Sequence, residues 1–375
     1  MTKGIGSAAG KPFLLVFLCA SLGLAMGAVP APGDFDIPRP GRVWQFPRDH
    51  GAHPRYQNEW WYYSGHLKAP DGQSFGYQLT FFRVALASPD PRVRSAWVAD
   101  TIYFAHLALT DPGRRTFIFR EKVGRGALGL AGADTGRLKV WIDDWRAESQ
   151  GDEQHLRARS DGLALDLTLT PLKPPVLHGQ GGYSLKAAGT EVASYYYSIP
   201  RLATRGTLVL GDRQLPVTGL SWLDREFSSS PMARDQVGWD WFALQLSDGT
   251  DIMLYLMRRK DGGIDPASAG TIIDPRGQAH HLRLADFQVQ AAGAWKSPRT
   301  DATYPAGWSI TIPGSGYHLT LTPSLPDQEL QMGGNAQLIY WEGEVRIQGY
   351  KDQQPVSGLG YTELTGYAGP LGGRF

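Results

Sequence analysis

The densest run of chemistry-bearing side chains in the chain is Trp222-Leu223-Asp224-Arg225-Glu226-Phe227. Asp224 and Glu226 stand two residues apart, so on a strand they share a face, where each carboxylate raises the pKa of the other. The bland use of such a carboxylate is an ion pair with Arg83, Arg225 or Arg258, pinning parts of the fold together. A second polar set is Glu59, His66 and Arg83. Counting by two puts Glu59, Trp61 and Tyr63 on one face of a strand and Trp60 and Tyr62 on the other. With Glu59 turned inward, Arg83 is its natural partner, because the guanidinium fork suits a carboxylate. Such a pair closes the end of a barrel; contact with a ligand is the other reading. His66 and His106 fit best as bonded sheet histidines. Glu329, Glu342 and Glu363 sit among aromatics near the C-terminus.

Other chemistries are missing from the text of the chain. Gly219-Leu220-Ser221-Trp222-Leu223 does not make the Gly-x-Ser-x-Gly elbow of a serine hydrolase. The one cysteine is Cys19, the nine histidines contain no HExxH, and His280-His281 are adjacent and so face opposite ways on a strand. There is no phosphate-binding loop or dinucleotide fingerprint. No metal and no cofactor is therefore expected. What the chain has instead is Trp 12 and Tyr 16. These rings either fill barrel cores or, with Trp60, Trp61, Tyr195, Tyr197, Trp222, Trp239 and Trp241, line one apolar cleft with Glu59 and Arg83 as polar contacts.

The elements that must position these groups read as strands. Phe75-Gly76-Tyr77-Gln78-Leu79-Thr80-Phe81 and Leu163-Ala164-Leu165-Asp166-Leu167-Thr168-Leu169 alternate with period two, and no long stretch repeats every 3.6 residues. Gly 46 and Pro 26 supply turns, with Asp-Gly at 71–72 and 248–249 as hairpins. The chain also repeats itself. Leu167-Thr168-Leu169-Thr170-Pro171 recurs as Leu319-Thr320-Leu321-Thr322-Pro323, and Pro216-Val217-Thr218-Gly219-Leu220 as Pro355-Val356-Ser357-Gly358-Leu359. Both matches, and the two Asp-Gly turns, keep their order, which marks an internal duplication. Glu363 falls at the repeat position of Asp224, and a carboxylate kept in both copies favours a structural role for it. The expected architecture is all-β: two linked antiparallel barrels, residues 43–232 and 236–375, each with room for one small ligand at about eight strands. A formal charge of +1 with no basic block argues against nucleic acid.

Residues 1–27 read as a signal peptide. Lys3 and Lys11 precede an apolar run from Phe13 to Leu24, and Ala25-Met26-Gly27 offers cleavage after Gly27. Residues 28–42 form an extended leader. The mature chain then has no cysteine and no membrane span, and a periplasmic or secreted location is expected.

Asn58-Glu59-Trp60-Trp61-Tyr62-Tyr63-Ser64-Gly65-His66-Leu67, Gly76-Tyr77-Gln78-Leu79-Thr80-Phe81-Phe82-Arg83, Trp222-Leu223-Asp224-Arg225-Glu226-Phe227, Gly238-Trp239-Asp240-Trp241-Phe242, Tyr340-Trp341-Glu342-Gly343 and Gly360-Tyr361-Thr362-Glu363-Leu364 together resemble the AttH-like / carotenoid 1,2-hydratase family, in order and over nearly the whole mature chain. The resemblance implies tandem lipocalin-like barrels. It spans carotenoid hydratases, pericyclic cyclases and an exported bacterial branch described as secreted hydrolases and associated with MacB-like ABC permeases. In the hydratases the aspartate matching Asp224 is thought to protonate a C=C bond, and Trp222, Trp239 and Trp241 could face the resulting cation. Asp224, Glu226 and Tyr197 are accordingly the candidate catalytic residues. Tyr195 and Tyr197 stand where the hydratases carry His and Trp, which tells against hydration itself. The reading that follows is an exported binder of a hydrophobic small molecule (lipid, isoprenoid or polyketide-like) working with an ABC permease; the alternative is a cofactor-independent lyase or isomerase using Asp224, or a secreted hydrolase.

Overall fold

The computed structural model describes Met1 and residues 35–86, 100–230, 232–333, 338–369 and 371; the signal segment and the start of the leader lie outside the described residues. Thirteen strands form the first sheet: β1 (Asn58–Lys68), β2 (Ser74–Ala85), β3 (Thr101–Asp111), β4 (Thr116–Arg125), β5 (Ala131–Ala133), β6 (Lys139–Ile142), β7 (Trp145–Gln150), β8 (Glu153–Ser160), β9 (Leu163–Pro171), β10 (Val176–Leu177), β11 (Tyr183–Leu185), β12 (Ala193–Leu210) and β13 (Arg213–Ser228). The second half runs β14 (Gln236–Leu246), β15 (Asp251–Arg259), β16 (Ala269–Ile273), β17 (Ala279–Arg283), β18 (Gln288–Ala291), β19 (Ala294–Lys296), β20 (Thr303–Pro305), β21 (Trp308–Ile312), β22 (Tyr317–Pro323), β23 (Glu329–Gln331), β24 (Ile339–Lys351) and β25 (Gln354–Thr365). Helix among the described residues is confined to three single 3₁₀ turns, and none crosses a membrane.

The duplication is visible in the pairing. The first sheet contains the order β4-β3-β2-β1-β13-β12-β9-β8, and the second the matching order β17-β16-β15-β14-β25-β24-β22-β21, all pairs antiparallel. The Asp-Gly turns join β1 to β2 and β14 to β15, with Gly72 at φ 88° and Gly249 at φ 84°, a region a side chain would strain. Both sheets curl into lipocalin-like barrels.

Each barrel interior is filled by side chains. Trp61, Tyr63, Phe75, Tyr77, Leu79, Phe81, Tyr197 and Leu223 belong to the first core; Phe242, Leu244, Trp308, Trp341 and Leu364 to the second. The expectation of a ligand inside one barrel therefore gives way, because the rings leave no such room. The opposite faces of the same strands are also buried, since the barrels pack wall to wall. Tyr62, Tyr196, Trp222, Trp241, Met253, Tyr255 and Tyr361 form a third apolar cluster between them. Gly76 permits the approach: a Cβ there would lie 2.8 Å from the Tyr361 hydroxyl and from Glu344 Cβ. This burial on both sides explains why β1 and β12 read as unbroken runs of large residues.

Candidate active site between the barrels

Where the walls meet they leave a cavity of about 90 Å³, several times what one water needs. Trp60, Phe82, Phe104, Trp239, Trp241 and Met257 give it an apolar wall; Asp224, Glu226, Glu342, Glu363 and Lys186 give it charge. The site belongs to both copies at once.

Asp224 points from β13 to this face and is 4% exposed. Three neutral donors hold it. Tyr196 hydroxyl donates to Oδ2 at 2.5 Å, Trp222 Nε1 donates to Oδ1 at 2.6 Å, and Ser198 hydroxyl donates to Oδ1 as well. Among the described residues no arginine reaches it, which corrects the ion-pair expectation: Arg225 points the other way on the strand and pairs with Glu59, while Arg258 pairs with Asp240. Burial pushes the Asp224 carboxyl up to about 7; the three donors pull against that, and nearby Glu226 adds to it. Glu363, at the repeat position, is likewise pushed up to about 7 by burial, with Trp239 Nε1 donating to it at 2.8 Å and Glu226 and Asp224 raising it further. Glu342 is driven well above the carboxylate range by burial and by Glu363, and its carboxyl oxygens find no partner of good hydrogen-bond geometry. Lys186 Nζ meets Glu226 at 3.0 Å and lies over the rings of Tyr196 and Tyr255. Burial works against its ammonium, but Glu226, Tyr255 and Asp224 outweigh that and hold its pKa above the ordinary value.

Of the residues singled out from sequence, Asp224, Glu226, Trp60, Trp239 and Trp241 meet at this cavity, with Glu59 and Arg83 at its margin. Glu59 and Arg83 are committed elsewhere: the Glu59 carboxylate takes Arg225 at 2.7 Å, His53 Nδ1 at 2.8 Å and Arg83 at 3.1 Å, at the end of the first barrel. Trp222 touches Asp224 but does not line the wall. Trp61, Tyr195 and Tyr197 are corrections. Trp61 and Tyr197 turn into the first core, where Tyr197 hydroxyl meets His50 Nδ1 at 2.7 Å. Tyr195 packs with Tyr56 and Phe227 and donates to the Arg39 carbonyl. The physical reason is the two-residue period: the side chains beside Asp224 are Tyr196 and Ser198, one place on from the pair chosen from the sequence. A run of three tyrosines gives no phase from which to choose.

Sequence reading also missed Lys186 and Tyr255. His66 and His106 are bonded sheet histidines, to Glu344 at 2.8 Å and to Tyr340 hydroxyl at 2.5 Å. Glu329 lies apart, bonded to Ser297 and Thr300. No three His, Asp or Glu side chains among the described residues converge as metal ligands would. The arrangement offers a largely apolar cavity with protonatable acids in its wall, suited to giving or taking a proton at a carbon or oxygen centre.

Comparison with known proteins follows the same lines. The AttH-like family model matches residues 37–367. The solved structure of NE1406 from Nitrosomonas europaea, described as an AttH, is 36% identical, covers 88% of this chain and 98% of its own, and superposes with a TM-score of 0.79. Kievitone hydratase from Nectria haematococca shares the fold at 16% identity over 87% of this chain and 93% of its own, with a TM-score of 0.68. Among curated proteins, dehydratase asqC of Emericella nidulans is 22% identical over 210 residues, 54% of this chain; the match spans 58% of that relative's length.

Proposed function

This chain belongs to the AttH-like family, and from that premise we propose that it is a cofactor-independent lyase that adds water to, or removes it from, an apolar small molecule held between the barrels, with Asp224 as the proton donor. The observation that carries the reading is the state of Asp224: buried in an aromatic wall, bound by three neutral donors, paired with no cation among the described residues, and raised to about 7. An acid there is partly protonated at neutral pH and still strong enough to give its proton up. Trp60, Trp239 and Trp241 line the same cavity, and indole rings there would stabilise positive charge developing on the substrate. Outside the site, support comes from the family and from a relative named as a dehydratase.

An exported carrier of a hydrophobic small molecule, serving an ABC permease, is the second reading, favoured by the apolar wall. A hydrolase is less well served. Ser198 and His178 do touch, but the Ser198 hydroxyl is engaged with Asp224 and the far nitrogen of His178 meets Thr271, not a carboxylate.

The test is to incubate the purified protein with a panel of unsaturated and hydroxylated isoprenoid and polyketide-type compounds and follow gain or loss of one water by mass spectrometry. Conversion abolished in Asp224→Asn supports the lyase. Conversion that survives Asp224→Asn defeats it, and a ligand of unchanged mass, bound equally by both proteins, establishes the carrier.

A further inference from the structure

His178 follows β10 and is fully enclosed at 1% exposure, yet both of its ring nitrogens are bonded. Nε2 lies 2.6 Å from Ser198 Oγ and Nδ1 lies 2.9 Å from Thr271 Oγ1. Ser198 continues to Asp224, and Thr271 continues across the β16–β17 pair to His281 Nδ1 at 3.2 Å. His281 is exposed on the outermost strand of the second sheet. We infer that Ser198, His178, Thr271 and His281 form a proton line that recharges Asp224 from solvent, crossing from the first barrel to the second behind the cavity. The inference rests on the reading of Asp224 as an acid that spends its proton in each turnover.

Every link can both donate and accept. Hydroxyls of Ser and Thr do so by rotating, and a neutral imidazole has one nitrogen of each kind. Burial holds His178 well below the ordinary histidine range, so the ring is neutral, as passage requires. With Asp224 ionised, His281 donates through Nδ1 to Thr271, Thr271 to His178 Nδ1, His178 Nε2 to Ser198, and Ser198 to Asp224. Moving each hydrogen one place along leaves Asp224 protonated and donating to Ser198, Ser198 donating to Nε2, and His178 carrying its proton on Nδ1. One proton has left a doubly protonated His281 and one has reached Asp224. Only N–H and O–H bonds change.

The other two partners of Asp224 lead nowhere. Trp222 is a donor alone. Tyr196 hydroxyl, held well above the ordinary tyrosine value by burial and by Asp224, ends at Trp241 Nε1 at 3.0 Å. The charged and titratable groups around the line are Glu226, Glu363 and Lys186 near Asp224, Lys186 and the Tyr196 ring beside His178, and His280 beside His281.

The experiment needs no substrate. Full-length protein labelled with ¹⁵N-histidine is titrated from roughly pH 5 to 9. Imidazole nitrogen shifts report the His178 tautomer, and the infrared carboxyl band lost in Asp224→Asn reports Asp224. The expected result is that His178 moves from the Nε2–H to the Nδ1–H form as Asp224 gains its proton, and that the switch disappears in Asp224→Asn and in Thr271→Val. A His178 that keeps one tautomer while Asp224 titrates overturns the line and leaves the acid standing. An Asp224 that keeps one protonation state throughout overturns both. The wild-type titration decides this even where a variant folds poorly.

Discussion

Two buried acids on neighbouring strands of the first sheet have opposite surroundings. Glu59, turned into the barrel, is enclosed by Arg83, Arg225 and His53, and although burial pushes its pKa up, Arg225, His53 and Arg83 outweigh that and hold the carboxylate well below its ordinary range. Asp224, turned outward to the second barrel, has hydroxyls and an indole instead, and sits near 7. The difference lies in what compensates the charge. Cations fix an acid in one state and make it a part of the frame; neutral donors leave it free to exchange its proton.

The sharpest way to break this comparison is to remove each acid isosterically. Asp224→Asn should cost turnover about 10²- to 10⁴-fold while, at neutral pH, the unfolding midpoint in urea moves little. Glu59→Gln should do the reverse. It leaves two buried guanidinium groups short of their anion, a loss of about 3–5 kcal/mol in unfolding free energy. Equal destabilisation by both would remove the distinction.

The pH dependence should also run in opposite directions. Asp224 has a folded pKa above its unfolded value of about 3.9, so its contribution to stability is full below that value and is lost as pH climbs through about 7. Glu59 has a depressed folded pKa, so its contribution is full above its unfolded value of about 4.3 and is lost as pH falls below it. Urea unfolding at several pH values should show the gap between wild type and Asp224→Asn narrowing as pH rises, and the gap to Glu59→Gln narrowing as pH falls. Slopes of the same sign would contradict the assignment.

Smaller effects probe single hydroxyls. Tyr196→Phe removes a donor to the ionised form of Asp224, worth about 1.5–3 kcal/mol, and should raise the Asp224 pKa by about 1–2 units in an infrared titration. Tyr197→Phe, one residue along and facing the core, should leave that pKa and the turnover unchanged and cost about 1 kcal/mol of stability.

That last pair also marks how far the sequence could be read. The strands, the duplication and the meeting of two barrels were legible because Phe75, Tyr77, Leu79 and Phe81 alternate with small or polar partners and because the Leu-Thr-Leu-Thr-Pro segment is written twice. Asp224 and Glu226 on one face followed from the same period. What was lost was phase. In Trp60-Trp61-Tyr62-Tyr63 and Tyr195-Tyr196-Tyr197 both faces are buried, one against a core and one against the other barrel, so hydrophobicity does not say which ring belongs where. Lys186 falls after β11, outside any periodic stretch, and its partners come from distant strands. His281, beside His280, reads from sequence only as half of a poor metal pair; its link to Thr271 depends on pairing that no local pattern announces.

The cavity wall is drawn from corresponding strands of the two copies, with Asp224 and Glu363 at matching positions. Two identical halves related by a two-fold axis would present a ligand with equivalent acids and no preferred direction. Here Asp224 is held by a tyrosine, a serine and a tryptophan, and Glu363 by the Trp239 indole. Divergence has given the chamber a handed interior: its two raised acids stand in unlike sets of donors, so a molecule with two similar ends would meet a different acid at each.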